Sequence, residues 1–371
     1  MEFKISSADL SKGLYLAQGI VEKKTTMAIL SNVLLTASSE GRLRITATDL
    51  EVGMVAEHNA NVQTEGSMAV SAKHFYEIVR ALPKDEVSIK KLENQWAEIV
   101  CGSIEYRLLG MPSEDFQSLP NFSGAKMFPV DAKILRTMVE KTIYAVSTDE
   151  TRFNLSGCYF EKLVSGQFRM VATDGHRMAM IDAALVQDPE RSPFGKGVII
   201  PKKGLMEVRR LAESESGECA LGLSDNNLVF RVGDVTLVMR LLDGQFPEYQ
   251  QVIPEQQKII LEMERKQLID SLRRISILSN DRTLGIKLQL RAGALRVTTS
   301  NPDLGEAKED LEIGYKGPDL SVGFNARYLL DALSAIESEK VDMSFEDDLS
   351  PCVFHPKDHS SYTCVVMPMR I

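Results

Sequence analysis

The sequence predicts an α+β protein made of three copies of one plan, each with two helices backed by antiparallel sheets. Three recurrences predict it. A strand-like stretch that opens on arginine and closes on an acid or amide appears as Arg44-Ile45-Thr46-Ala47-Thr48-Asp49, Arg169-Met170-Val171-Ala172-Thr173-Asp174 and Arg296-Val297-Thr298-Thr299-Ser300-Asn301. The interval is about one domain length. A short strand running into an amphipathic helix recurs as MAVSAKHFYEIVRAL, GVIIPKKGLMEVRRLA and SVGFNARYLLDALSAI. A closing strand, Tyr106 to Pro112, matches Tyr362 to Pro368, with a counterpart at Leu237 to Leu242.

The elements follow in the same order in each third. A first helix begins near Ser7, Asp131 and Glu264, with apolar residues at three- and four-residue steps, as in Leu10, Leu14, Ala17 and Val21, or Leu268, Leu272 and Ile275. Ser7 and Asp131 are the expected N-caps. Strands of period two follow, such as Leu43/Ile45/Ala47 and Leu295/Val297, then the second helix and a final hairpin. Turn chemistry marks two joints, SLPNFSG and DGQFPEYQQVIP, where proline fixes the chain's direction. The expected domains are therefore residues 1–122, 128–250 and 254–371.

Composition narrows the class. With 44% hydrophobic and 26% charged residues the chain is not wholly disordered. No apolar run is long enough to span a membrane, and the opening MEFKISSADL lacks a signal-peptide profile. Cys101, Cys158, Cys219, Cys352 and Cys364 are scattered and odd in number, which points to a reducing, cytoplasmic setting without a disulfide framework or zinc ribbon.

The net charge of −9 hides a segregation. Twelve-residue windows on the six expected helices, starting at residues 7, 71, 131, 201, 264 and 325, hold 15 Lys/Arg against 8 Asp/Glu. They carry +7, which leaves −16 for the rest. Helix propensity favours Glu as much as Lys, so propensity alone does not produce this bias. Basic helices on an acidic body suit a surface that faces a polyanion and contacts phosphates without reading sequence.

TATDLEVGM, VATDGHRMAM, ILSN at 277–280, GFNARYLLDAL and the terminal VVMPMRI together resemble the bacterial DNA sliding clamp family, the beta subunit of DNA polymerase III. The resemblance runs from Met1 to Ile371. It implies half of a six-domain ring: a head-to-tail homodimer with helices lining a hole for double-stranded DNA and sheets forming the wall. It implies no cofactor, a separate clamp-loader ATPase, and a cytoplasmic protein associated with the nucleoid during replication. The replicative polymerase and repair proteins would be its other partners, held through short extended peptides with a glutamine and apolar anchors.

Three sites follow from the resemblance. The partner-peptide groove would be built from Leu155, Thr173, Gly175, His176, Arg177, Met178, Pro247, Val252, Asn325 and Tyr328, with the tail Val365, Met367, Pro368, Met369 and Arg370. The repeat supports a role for the tail, because Met111-Pro112 leads into another domain whereas Met367-Pro368 does not. The DNA-facing set would be Lys24, Lys73, Arg152, Lys202 and Lys203. Where some members carry a glutamine and paired tyrosines, this chain has Asp149, Phe153 and Asn154, and Phe153 offers a ring for a single-stranded base. The dimer seam would set Tyr106 and Leu108 against Ile277 and Leu278 of the other subunit, with Glu306, Glu309 and Asp310 adding charge pairs to it. Alternation alone assigns Leu108 to the domain core.

Enzymatic alternatives are weaker. Asp174, His176 and Arg177 resemble part of a triad, but no Ser or Cys stands in a nucleophile-elbow pattern. His355, Asp358 and His359 have helical metal spacing in HPKDHSS, a segment that reads as a hairpin tip. No phosphate-binding loop of the G-x-x-x-x-G-K-[ST] type occurs, so a ring would need another protein to open it.

Overall fold

A computed structural model describes residues 1–22, 26–149, 151–214, 218–254, 257–280, 283–357 and 361–370. The six helices form where the charge windows put them: α1 Ser7–Ala17, α2 Ala72–Ala81, α3 Ala132–Thr142, α4 Lys202–Ser214, α5 Arg265–Ser276 and α6 Ala326–Ala335. One capping assignment shifts. Ser6, not Ser7, caps α1 by accepting from the Asp9 amide at 3.2 Å. Ser7 is buried and ties the helix to the next hairpin, donating to the Pro83 carbonyl at 2.9 Å. Asp131 does cap α3, through the Lys133 amide at 2.8 Å, whereas Glu264 makes no side-chain cap on α5.

The chain forms two compact units. The first comprises Met1–Lys133, Arg191–Pro193 and Lys203–Leu241. Its strands make one antiparallel array in the order Phe128–Val130, Cys219–Ser224, Asn227–Val232, Val235–Arg240, Val52–Asn59, Arg42–Thr48, Asn32–Ser38, Gly66–Ser71, Ile104–Met111, Trp96–Cys101, Glu86–Lys91, Glu2–Ser6 and Asn61–Thr64. Helices α1 and α2 pack against each other here. Leu10, Leu14, Leu43, Ile45 and Ala47 are all fully buried, as the periodicity requires.

The second unit comprises Ile134–Glu190, Phe194–Lys202 and Leu242–Ile371. It holds an eight-stranded sheet, Val198–Pro201, Gly157–Lys162, Phe168–Thr173, Arg177–Ala183, Tyr362–Val366, Cys352–Pro356, Lys340–Phe345 and Ile259–Glu264. A separate four-stranded sheet runs Gly305–Glu312, Ala294–Asn301, Gly285–Arg291 and Leu320–Asn325. In both units the closing strand of a later repeat pairs with the strand after the acid-or-amide turn of an earlier one. Met239 lies opposite Val52 in the first unit, and Val366 opposite Arg177 in the second.

The arginine that opens each recurrence makes the same cross-strand ion pair in all three. Arg44 reaches Glu57 at 3.0 and 2.8 Å, Arg169 reaches Asp182 at 2.6 and 2.7 Å, and Arg296 reaches Asp310 at 2.6 and 2.8 Å. Each carboxylate is the direct cross-strand partner of its arginine. Paired charges facing each other across a ladder favour one register over a slipped one.

All five cysteines are free and buried. Burial pushes the Cys158 thiol up to about 12 and the Cys364 thiol up to about 11. His355 lies on a strand, while Asp358 and His359 fall outside the described residues. Among the described residues no helix is long and apolar enough to cross a membrane.

Candidate functional site

The predicted groove residues converge in the second unit. Leu155, Met178 and Val365 join Val171, Ile199, Phe246, Tyr249 and Val353 in one buried apolar cluster. Pro247 and Val252 stand exposed beside it, Val252 at 38%. The tail is anchored. The Met367 amide donates to the His176 carbonyl at 2.8 Å, and the Met369 amide to the Gly323 carbonyl at 2.9 Å. Met367, Pro368 and Met369 are half-buried and Arg370 is exposed. A methionine-flanked surface of this kind adapts to varied apolar side chains.

The turn from Thr173 to Arg177 supplies the polar members of the predicted set. Asp174 Oδ1 accepts from the amides of His176 and Arg177 at 2.9 and 3.0 Å, and Gly175 takes a φ of +87°. Glycine suits that left-handed position. Arg177 is 11% exposed and works as an organiser: it donates to Asp174 Oδ2 at 3.0 Å, Asp331 Oδ2 at 2.5 Å and the Tyr144 carbonyl at 2.8 Å. Its guanidinium also lies 4.6 Å from the Tyr328 ring centre. Burial opposes the cation, yet the two carboxylates more than offset it and hold its pKa above the ordinary value. Tyr328 in turn stacks with His176, ring centres 6.2 Å apart and 13° from parallel. Asn325 is committed to capping α6 through the amides of Arg327 and Tyr328, and its Nδ2 donates to Thr283.

This geometry disposes of the triad reading. Asp174 spends its oxygens on two amides and Arg177, and the exposed His176 ring has no hydrogen-bond partner among the described residues.

Sequence reasoning missed a polar latch behind the groove. Tyr249 is 4% exposed, donates to Glu161 Oε1 at 2.5 Å and accepts from Arg169 at 3.2 Å. Burial, with the Glu161 carboxylate, pushes its hydroxyl up to about 12. Glu161, Arg169 and Asp182 share one cross-strand row, so the latch fastens the segment that carries Pro247 and Val252. The signal for it was the arginine shared by all three recurrences.

The seam residues occupy an open edge. Within Ile104–Met111, residues 104–109 pair with Trp96–Cys101, but on the strand's other side only Gly110 and Met111 find partners among the described residues. Tyr106 lies opposite the buried Ile99 and yet is 40% exposed, because the neighbouring lane is empty. Leu108 is half-buried rather than core for the same reason. Trp96 and Leu109, cross-strand partners on the opposite face, are 40% and 58% exposed and were not foreseen. Ile277 is 75% exposed just beyond α5, with Leu278 half-buried. Two of the acids assigned to charge pairs across the seam are already paired within the chain, Glu309 with Arg274 and Asp310 with Arg296.

The basic set divides. Lys24 lies outside the described residues. The side chains of Lys73, Arg80, Lys202, Arg209, Lys266, Arg273 and Arg327 make no hydrogen bond or ion pair among the described residues. Arg152 is half-exposed, 3.5 Å from Asp149, and Phe153 is 57% exposed. Lys203 departs from expectation. Its ammonium binds the Asp49 carboxylate and the Ile20 carbonyl, because Asp49, 5% exposed, requires a countercharge.

Comparison with known proteins follows the same division into thirds. Residues 1–120, 129–248 and 250–370 match the N-terminal, central and C-terminal domains of the DNA polymerase III beta subunit. The chain belongs to this family. It is 34% identical to the beta sliding clamp of Pseudomonas aeruginosa and 33% identical to that of Haemophilus influenzae, with all of both chains covered in each case. The crystal structure of the Caulobacter crescentus sliding clamp superposes over 100% of both chains with a TM-score of 0.94 at 33% identity. A Bartonella birtlesii sliding clamp bound to griselimycin gives 0.93 at 33% identity, again over 100% of both chains. Three clamp domains of helices and antiparallel sheets thus account for the whole chain. As a family member it is a non-enzymatic processivity factor of DNA replication.

Proposed function

We propose that two copies of this chain associate head to tail into a ring that encircles duplex DNA and tethers the replicative polymerase. The observation that carries the reading is the full-length family match, in order, across all three domains. The open Tyr106–Leu108 edge supports the seam, since pairing with another subunit would satisfy its backbone groups. The unpaired helix cations Lys73 and Lys202 support a DNA-facing surface, and the exposed Arg152, ion-paired with Asp149, and Phe153 complete its named members. Lys203 contributes structure more than charge. Contacts that neutralise phosphates without reading bases allow sliding, and closure around the duplex supplies retention.

The groove of Leu155, Gly175, His176, Met178, Pro247, Val252, Tyr328 and the tail takes short peptides from polymerases, repair proteins and the loader ATPase that opens the ring. Domains of residues 1–122, 128–250 and 254–371 and a cytoplasmic location belong to the same reading. The decisive experiment compares retention on nicked circular and linearised DNA after loading by a clamp loader. Persistence on the circle with rapid loss from linear ends is expected, and equal loss from both defeats the topological mechanism.

A further inference from the structure

Repeats one and two present the same face of three strands to the segment that leaves each repeat. In repeat two that face includes Tyr159, Glu161, Arg169, Val171 and Met180, and it is covered. Phe246 stacks on Tyr159 at 5.1 Å, and three residues later Tyr249 lies buried with its hydroxyl between Glu161 and Arg169. The pairing registers put Leu34, Thr36, Arg44, Thr46 and Val55 at the same stations in repeat one. Phe116 is retained there, 9% exposed, but three residues later stands Leu119, and Leu34 replaces the second tyrosine. Leu119 leans instead on Gly53, where a Cβ would collide with it, at the station that Met178 fills in repeat two. A cleft of about 450 Å³ remains, lined by Leu34, Thr46, Val55, Phe116 and Leu119 and rimmed by Arg44. Of the two groups that hold the Tyr249 hydroxyl, the donor persists as Arg44, here bound to Glu57 at 3.0 and 2.8 Å, while Thr36 stands at the station of the acceptor Glu161.

We propose that this cleft is a docking site for a tyrosine side chain of a partner protein, its ring against Phe116 and its hydroxyl between Arg44 and Thr36. The occupant is read from the chain itself, because repeat two fills the equivalent space with its own tyrosine. An aromatic ring with a polar tip suits a site with an apolar floor and a charged rim. Hydrogen bonding to the hydroxyl gives the site a means to prefer phenol over a plain ring.

The test uses p-cresol, the tyrosine side-chain analogue, titrated into the full chain and followed by protein NMR. Shifts confined to Leu34, Val55 and Phe116 are expected, with toluene binding at least several-fold more weakly. Leu119→Tyr supplies the missing phenol in cis and should weaken p-cresol binding tenfold or more. Val55→Met, which restores the bulk of Met180, should do the same if the first variant folds poorly. Removing Met367 to Ile371 should leave p-cresol binding unchanged, which separates this site from the groove. Absence of binding, equal binding of toluene, or undiminished binding to both filled variants overturns the proposal.

Discussion

The turns at Thr48–Val52 and Thr173–Arg177 share one backbone design and serve different ends. In each the acid's Oδ1 accepts two amides, from Glu51 and Val52 at 3.0 and 2.7 Å and from His176 and Arg177 at 2.9 and 3.0 Å. In each the threonine hydroxyl accepts the next amide but one at 3.0 Å. The spare carboxylate oxygen separates them. Asp49 gives it to Lys203 at the start of α4, whereas Asp174 gives it to Arg177 within its own turn. Arg177 then continues to Asp331 and Tyr328, so the second turn, whose His176 carbonyl holds Met367, is coupled to α6. Val52 at the matching position of the first turn can transmit nothing of the kind. A repeated scaffold acquires a link to α6 here by exchanging one apolar side chain for a guanidinium.

The comparison breaks most visibly at the two acids. Asp174→Ala leaves two amides and a nearly buried guanidinium short of an acceptor and should cost about 3 kcal/mol in urea denaturation. Asp49→Ala should cost a similar amount, but only the first change should weaken a labelled polymerase peptide in a fluorescence titration. Equal weakening by both would mean that the turns are not specialised. Deleting Met367 to Ile371 should raise the peptide Kd at least about tenfold, or 1.4 kcal/mol, while the mass in solution stays that of a dimer. Unchanged peptide affinity would remove the tail from the groove.

A smaller effect tests the backbone. Gly175→Ala places a Cβ at a φ of +87° and should destabilise by about 1 kcal/mol. Leu50 already holds a φ of +79° at the matching position, so Leu50→Gly should be tolerated without loss. A large loss there would point to contacts by the half-exposed Leu50 side chain. The smallest effect lies in the arginine rows. Burial raises the Glu57 carboxyl, but Arg44 and Arg42 outweigh it and hold the group below its ordinary 4.5. Its contribution is therefore full above pH 4.5 and fades as pH falls through the lowered folded value. Acid titration of Glu57→Gln should accordingly show a shallower decline in stability below that pH than the parent chain.

The threefold plan, the six helices and the converging tail were legible because each rests on local periodicity or on repetition. The arginine opening each recurrence was visible too, but its purpose was not. The carboxylate it meets lies on the next strand, and only the pairing register identifies it. The Lys203–Asp49 ion pair was not legible for a related reason, since the two residues are 154 apart in sequence and the burial of Asp49 cannot be read from composition. Ser6 displaced Ser7 as a cap because Ser7 is drawn inward by Pro83, a tertiary demand that no capping rule contains. Trp96 and Leu109 escaped notice because their exposure depends on which lane of a sheet is left vacant.

The five concealed thiols give the chain an experimental convenience. With every native thiol buried, and three of them, Cys158, Cys352 and Cys364, held strongly protonated, maleimide reagents should find the unmodified polypeptide nearly silent. A single cysteine introduced at an exposed position such as Ser103, in the tight bend beside the vacant sheet lane, would then carry a dye at one known address. Subunit exchange and opening could be followed by energy transfer without first stripping the protein of its own reactive groups.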